Sequence, residues 1–398
     1  MKTDKAELIE IALNKGVAEV LPNKGYVEKL LLQDKRLTIY AGFDPTGPTL
    51  HIGHGIQLRK LRHFQDLGHK IIFLVGDFTA RIGDPDKKTA REPLTEKQIK
   101  TNLKLYKKQA GKFIRFTGKN AAVVKFNNTW LGKMKFADVL SLASNMTVDQ
   151  MLKRDMFARR MEENKPIYIH EFMYPLMQGY DSVVMDVDGE VGGNDQLFNM
   201  LAGRTLMRSL KNKEKFVVTT KLLADPTGAK MGKTTGNMIS FIDTPEDMYG
   251  KVMAWNDGMI VSGFELCTDY TLEQTVSIEK ELTTGINPRD IKMRLAFEIV
   301  KTCTDEKSAL KAEESFVATF QKREVHTDLL EIKSKDRTLE TILIEENLIA
   351  SKTEIRRLAV AGAISDFENK KTLSIVEVKS VIAPSVYKIG KKIFIRIV

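Results

Sequence analysis

Gly42-Phe43-Asp44-Pro45-Thr46-Gly47-Pro48-Thr49-Leu50-His51-Ile52-Gly53-His54 is the stretch on which the reading of this chain turns. It begins inside Thr38-Ile39-Tyr40-Ala41-Gly42-Phe43, a β-branched and aromatic run that is apolar nearly throughout and reads as a strand buried on both faces. The chain then turns through Asp-Pro and Gly-Pro and enters an amphipathic helix near Gly53. His51 and His54 share one face at the start of that helix, where free N–H groups and the helix dipole favour anions. Gly53 between them lets a ligand approach the backbone closely. Two histidines at this spacing could also bind a metal, but no third ligand is evident, and neutral imidazoles beside a phosphate site explain the spacing without one.

Four further runs resemble the first: Ile71–Val75, Ala121–Phe126, Ser182–Val187 and Phe216–Thr220, separated by helix-length segments. Apolar strands alternating with helices predict an α/β fold with a parallel sheet covered on both faces, and ligands bound outside the carboxyl ends of its strands. The pattern becomes helical from about residue 245 to 330. There Asn287-Pro288-Arg289-Asp290 supplies a cap, a first-turn proline and an acid, before Ile291, Leu295 and Ile299 mark a buried face. The charged run Glu331–Arg337 reads as a linker. Beyond it, Ser351-Lys352-Thr353-Glu354 is a capping box, Gly362 a helix stop, and Lys391–Ile397 a strand with Ile393, Ile395 and Ile397 on one face. The expected divisions are 1–220, 221–330, a linker at 331–337 and a small module at 338–398.

The composition bounds the function. The chain has 398 residues, with 62 Lys+Arg against 52 Asp+Glu, so a net charge of +10, which suits a polyanionic partner. Hydrophobic residues at 42% and charged residues at 29% exclude a disordered or collagen-like chain. Cys267 and Cys303 are isolated, which excludes a disulfide scaffold, argues against structural zinc and fits a reducing, cytoplasmic setting. The opening residues lack an apolar signal core, and no apolar run approaches the ~18 residues of a membrane span.

A second cationic motif follows Phe216–Thr220. In Lys230-Met231-Gly232-Lys233-Thr234, two lysines with glycine between them form a mobile hook suited to pyrophosphate. Together, Phe43–Thr46 with His51–His54 and then Lys230–Thr234 resemble the HIGH and KMSKS signatures of class I aminoacyl-tRNA synthetases, in the family's order. Tyr174-Pro175-Leu176-Met177-Gln178-Gly179-Tyr180-Asp181, Gly192-Gly193-Asn194-Asp195-Gln196 and Tyr40 resemble the tyrosyl-tRNA synthetase family specifically. Resemblance covers essentially the whole chain. It implies a Rossmann-like catalytic domain, an α-helical domain and a small α+β S4-like RNA-binding domain.

The resemblance also implies roles. Tyr40 and Asp181 would read the hydroxyl of tyrosine. Tyr174, Gln178 and Asp84 would hold its ammonium, with Thr79 supporting them, and Gln196 its carboxylate. Asp195 would face the ribose, while Asp44, Gly53 and the backbone of Gly192 and Gly193 would line the adenylate. Thr46, His51, His54, Lys230, Lys233 and Thr234 would meet the phosphates of ATP, with Lys87 and Arg91 as further pyrophosphate contacts. One of Asn127 and Asn128 would orient the pocket. Magnesium would enter with ATP and keep most of its waters, with no structural metal in the protein. The family is homodimeric, and its RNA partner would be tRNA(Tyr).

Arg356, Arg357, Lys391 and Lys392 would meet RNA phosphates. The segment Ala363–Asn369 is more acidic than the family's usual basic loop. Met151–Arg160, with four basic residues, is either a contact for the acceptor stem or an ordinary surface helix. Tyrosine-specific synthetases are the reference case for rejecting phenylalanine by about 10⁵ through hydrogen bonds to the hydroxyl, which removes the need for an editing domain. A tryptophan-specific synthetase would place apolar residues at Tyr40 and Asp181. The S4-like tail disfavours a small-molecule adenylate-forming ligase. Intact signature residues disfavour an RNA-binding protein with a decayed active site.

Overall fold

The structure, a computed structural model, describes residues 4–84, 95–225, 227, 238–321, 330–333, 337–369, 371–390 and 393–398. The chain parts into two compact units, Met1–Glu313 and Glu314–Val398.

The first unit is built on a six-stranded sheet of β1 (Val17–Leu21), β2 (Thr38–Phe43), β3 (Lys70–Val75), β4 (Val123–Phe126), β5 (Gly189–Gly193) and β6 (Phe216–Thr220), in the order β1-β6-β5-β2-β3-β4. Strands β2 to β6 are mutually parallel, and β1, an edge strand not foreseen in the sequence, runs antiparallel to β6. From β2 the chain winds outward through β3 to β4, then returns to place β5 and β6 on the opposite side of β2. The winding therefore reverses between β2 and β5, and a crevice opens at their carboxyl ends. Helix α1 (Ile52–Asp66) leads away from β2, α2 (Ile169–Met185) precedes β5, and α3 (Leu197–Lys211) joins β5 to β6.

One strand differs from its expectation. Ser182–Val187 is not a strand but the last turn of α2 and the turn after it, where Asp186 ends the helix at φ 48°. Its valines suggested β structure because they are β-branched, yet Val183 packs with Leu176, Leu206 and Met207 on a helix face. The strand itself, Gly189-Glu190-Val191-Gly192-Gly193, is rich in glycine because its neighbours crowd it. A Cβ on Gly189 would overlap the ring of Phe216.

The helices between residues 245 and 303 belong to the same compact unit as the sheet. Asn287 caps helix α4 (Pro288–Cys303) by accepting from Arg289 N at 3.0 Å, and Ile291, Leu295 and Ile299 are buried. Arg59 on α1 reaches the carbonyl of Cys267 at 2.8 Å and pairs with Asp269.

The second unit carries a five-stranded sheet of β7 (Leu330–Ile332), β8 (Ile364–Asp366), β9 (Lys371–Thr372), β10 (Ser385–Ile389) and β11 (Ile393–Ile397), ordered β7-β11-β10-β8-β9. Glu331 and Ile332, expected in a linker, instead pair in β7 with Arg396 and Ile397. Ser351 caps helix α5 (Lys352–Val360) through Glu354 N at 3.3 Å, while the Glu354 carboxylate sits against Arg357. Gly362 follows that helix at φ 65°. Ile395 and Ile397 enter the core with Leu339, Ile355 and Ile389, and Ile393 packs at its edge.

Candidate active site

A cavity of about 460 Å³ opens at the carboxyl ends of β2 and β5. Thr46, His51, Gly53 and His54 line one side of it. The start of α1 is pinned there by backbone bonds, Ile52 N to Ile239 O at 2.9 Å and Phe241 N to Leu50 O at 3.1 Å. His54 Nδ1 accepts from His51 N at 3.1 Å. A neutral imidazole accepting at Nδ1 carries its proton on Nε2, so His54 is a donor there. The two rings lie 3.8 Å apart between centroids.

The opposite side is closed and polar. Tyr40, fully buried on β2, brings its hydroxyl to 2.8 Å from Ser182 Oγ. Asp181 accepts from Trp130 Nε1 at 2.8 Å and from Asn127 Nδ2 at 3.3 Å. Burial holds the Asp181 carboxyl well above the usual carboxylate range, against those two hydrogen bonds, with Glu190 and Asp44 adding to the shift. The Tyr40 phenol is likewise pushed up, by burial first and then by Glu190 and Asp181.

Between these two sides stands a cluster of carboxylates. Asp44 accepts from Tyr174 Oη at 2.8 Å and from Thr79 Oγ1 at 2.7 Å. Asp84 accepts from Arg154 Nη2 at 2.7 Å and from Gln196 Nε2 at 2.8 Å. Gln178 donates to Glu190 at 3.0 Å. Gly192 and Asp195 complete the lining beside Gln196. Gly193 closes the end of β5, where a Cβ would press on Asp195. Of the asparagine pair, Asn127 lines the cavity, donating to Thr79 Oγ1 at 3.1 Å and accepting from Phe78 N at 2.9 Å.

The His51–His54 stretch, Tyr174–Asp181 and Gly192–Gln196 thus converge on one crevice, although they are far apart in the chain. Lys87, Arg91, Lys230, Lys233, Thr234, Lys391 and Lys392 lie outside the described residues. Leu222, Leu223 and Met238, on either side of the Lys230 motif, line the cavity. Arg356 and Arg357 are exposed on α5 of the second unit.

Sequence reasoning missed several residues. Arg154 is no surface residue: it is 5% exposed and tied to Asp84, while Arg160 pairs with Glu171 at 2.7 Å. Periodicity does not reveal this, because a buried arginine and an exposed one look alike until the carboxylate arrives from elsewhere in the chain. Trp130, Ser182, Glu190 and Lys215 were missed for the same reason. The one signal available was a charge at Glu190 and Lys215 within or beside otherwise apolar strands.

A switch-point crevice with a histidine-bearing helix start on one side and a closed polar pocket on the other is the place where an open α/β sheet binds its ligand. Residues 32–321 match the family model described as tRNA synthetases class I (W and Y). The chain is 42% identical over 393 residues to the tyrosine–tRNA ligase of Moorella thermoacetica, covering 97% of this chain and 94% of that one. It is 40% identical to that of Thermotoga maritima, with 97% and 96% covered. Tyrosine–tRNA ligase 2 of Vibrio cholerae is 39% identical, with 100% and 99% covered. The fold matches the tyrosyl-tRNA synthetase of Archaeoglobus fulgidus complexed with L-tyrosine, with a TM-score of 0.62 at 21% identity over 78% of this chain and all of that one. The chain belongs to the tyrosine–tRNA ligase family.

Proposed function

We propose that the cavity binds L-tyrosine and ATP, joins them as tyrosyl-adenylate with release of pyrophosphate, and then passes tyrosine to the 3′ end of tRNA(Tyr). The observation that carries this reading is the closed end of the pocket, where Tyr40 and Asp181 bring buried polar groups together. Such a floor favours a ligand with a hydroxyl at its tip and leaves buried groups unpaired when that hydroxyl is missing.

The remaining roles are those that the resemblance implies. Tyr174, Gln178 and Asp84 would hold the ammonium, Gln196 the carboxylate and Asp195 the ribose, and all five line the cavity. Thr46, His51 and His54 offer donors to phosphate oxygens, and the resemblance adds Lys230, Lys233 and Thr234, with Lys87 and Arg91, to the same role. These groups suit phosphate oxygens and not a hard cation, so magnesium would come bound to the nucleotide. A carboxylate is already a competent nucleophile toward the α-phosphate, so catalysis comes from positioning and from cations that favour the transition state.

Beyond the cavity, the helices of residues 245–313 serve as an anticodon-proximal domain and the second unit as an S4-like RNA-binding module. Arg356, Arg357, Lys391 and Lys392 are its phosphate contacts. The working form is a homodimer. Phe136 and Leu140, one helical turn apart on Phe136–Ala143, are 78% and 56% exposed, an apolar helix face suited to a second copy. Buried free thiols at Cys267 and Cys303 support a reducing, cytoplasmic setting. Among the described residues no helix is long and apolar enough to cross a membrane.

Amino-acid-dependent exchange of labelled pyrophosphate into ATP tests the reading. Exchange with tyrosine, and not with phenylalanine or tryptophan, is the expected result. Exchange with tryptophan alone would overturn the pocket assignment, and none with any of the three, from folded protein, would overturn the activity.

A further inference from the structure

At the closed end of the pocket lies a buried ion pair, of which Glu190 lines the cavity and Lys215 stands behind it. Lys215, just ahead of β6, and Glu190, within β5, are 0% and 2% exposed, and the ammonium is bonded to Glu190 Oε2. Lys215 Nζ also donates to Ser182 Oγ at 3.1 Å, and Ser182 Oγ stands 2.8 Å from Tyr40 Oη. The other oxygen of Glu190 accepts from Gln178 at 3.0 Å. One buried pair therefore holds two residues of the pocket wall, Tyr40 both through Ser182 and from Glu190, and Gln178 directly.

A buried ion pair of this kind is weak evidence for stability, since a well-packed apolar pair of similar volume often serves as well. Its geometry offers something an apolar pair cannot, which is direction. An ammonium only donates, so Ser182 Oγ accepts from Lys215 and keeps its own proton to share with Tyr40 Oη. Glu190 also hydrogen-bonds the Tyr40 hydroxyl, so the two charged groups orient that hydroxyl from both sides, next to Asp181. Room for the ammonium depends on Gly203 of α3, where a Cβ would lie 2.5 Å from Lys215 Nζ and 3.0 Å from Ser182 Oγ.

We propose that Lys215 and Glu190 are a positioning pair that fixes the place and orientation of the Tyr40 hydroxyl at the closed end of the pocket and thereby sets selectivity for tyrosine over phenylalanine. This rests on the tyrosine-activating reading above.

The test uses full-length Lys215→Met/Glu190→Gln, which removes both charges together, and Ser182→Ala, which cuts the link to Tyr40 and removes none. Pyrophosphate exchange is measured for tyrosine, phenylalanine and ATP, with folding followed by tryptophan fluorescence. The expected result in both variants is a kcat/KM ratio of tyrosine to phenylalanine lowered by about tenfold or more, and a raised tyrosine KM, with the ATP KM unchanged. An unchanged ratio in folded Ser182→Ala, or tyrosine and ATP KM values that rise together, overturns the proposal. Absence of tyrosine-dependent exchange in the unsubstituted chain is a separate result: it overturns the tyrosine-activating reading itself and this inference with it.

Discussion

The hydroxyl of Tyr174 donates to Asp44 at 2.8 Å, and that single bond ties the middle of α2 to the loop leaving β2. Asp44 has Thr79 as a second donor, so the carboxylate is oriented from two elements at once. Burial pushes the Tyr174 phenol well above its ordinary value, with Asp44 and Asp84 adding to the shift, so it stays protonated and a donor at neutral pH. Tyr174→Phe leaves the ring in place and removes the donor. A hydrogen bond to a charged acceptor contributes roughly 1.5–3 kcal/mol, so tyrosine binding weakens by about tenfold or more. Equilibrium binding of tyrosine without ATP checks this, and undiminished affinity would contradict the placement of the ammonium beside Tyr174.

Gly76 follows β3 at the point where Asp44 and Thr79 meet. A Cβ built on it would overlap both Asp44 Oδ1 and Thr79 Oγ1, and Gly76 N bonds Phe43 O at 3.0 Å, so the backbone has little freedom to retreat. Gly76→Ala therefore displaces the carboxylate that Tyr174 holds. Overpacking of this kind costs roughly 1–3 kcal/mol in stability. The loss in tyrosine-dependent exchange should exceed what the lowered melting temperature explains, and full activity in a folded Gly76→Ala protein would show that Asp44 tolerates movement.

How far the sequence could be read depends on where each signal is stored. β2, β3 and β6 were legible because strands buried on both faces are apolar end to end, and Asn287 with Pro288 marked its helix by local chemistry alone. β5 was not legible. Its glycines, required where the Phe216 ring lies against it, look like a turn, while the valines of Ser182–Val187 look like a strand. The candidate site followed the same division. His51, His54, Tyr174 and Asp181 sit in short motifs that survive as strings. Arg154, Trp130 and Lys215 act through partners brought from distant stretches, so their roles exist only in the folded chain.

Asp181 is the residue whose chemistry discriminates most sharply between ligands. Its carboxylate accepts from Trp130 at 2.8 Å and stands beside Tyr40 at the closed end of the pocket. Asp181→Asn keeps the volume but exchanges an acceptor for an amide donor, which faces the Trp130 and Asn127 donors badly. Tyrosine then loses its partner while phenylalanine loses nothing. The expected outcome is a fall in tyrosine kcat/KM of about 10² or more with phenylalanine nearly unchanged, read by pyrophosphate exchange. Parallel losses for both amino acids would mean that Asp181 holds the pocket together without reading the hydroxyl.

The stability of the first unit should fall at mildly acidic pH, through buried His69 and half-buried His63, neither of which lines the cavity. Burial lowers His69 from 6.5 to about 4, with Lys5 and Arg36 adding to the shift and Asp188 opposing it, and its Nδ1 accepts from Leu37 N at 3.3 Å. His63 is lowered well below the same ordinary value, by burial first and then by Lys60, Lys15, Arg59 and Arg62. Both values are depressed in the folded chain, so the unfolded chain takes up protons first as pH falls. The contribution is fully present above the unfolded value of 6.5 and is lost as pH falls through it toward about 4. Protonation of His69 at Nδ1 would also break its bond to Leu37. Trp130 and Trp255 both lie in the first unit, so urea unfolding followed by tryptophan fluorescence reports on it. The urea midpoint of the unsubstituted chain should drop between pH 7.5 and pH 5, and the drop should be smaller in His69→Gln and smaller again in His63→Gln/His69→Gln. Carboxylates titrate in all three proteins alike, so the difference between their slopes isolates the histidines. Parallel slopes would assign the acid sensitivity to the carboxylates instead.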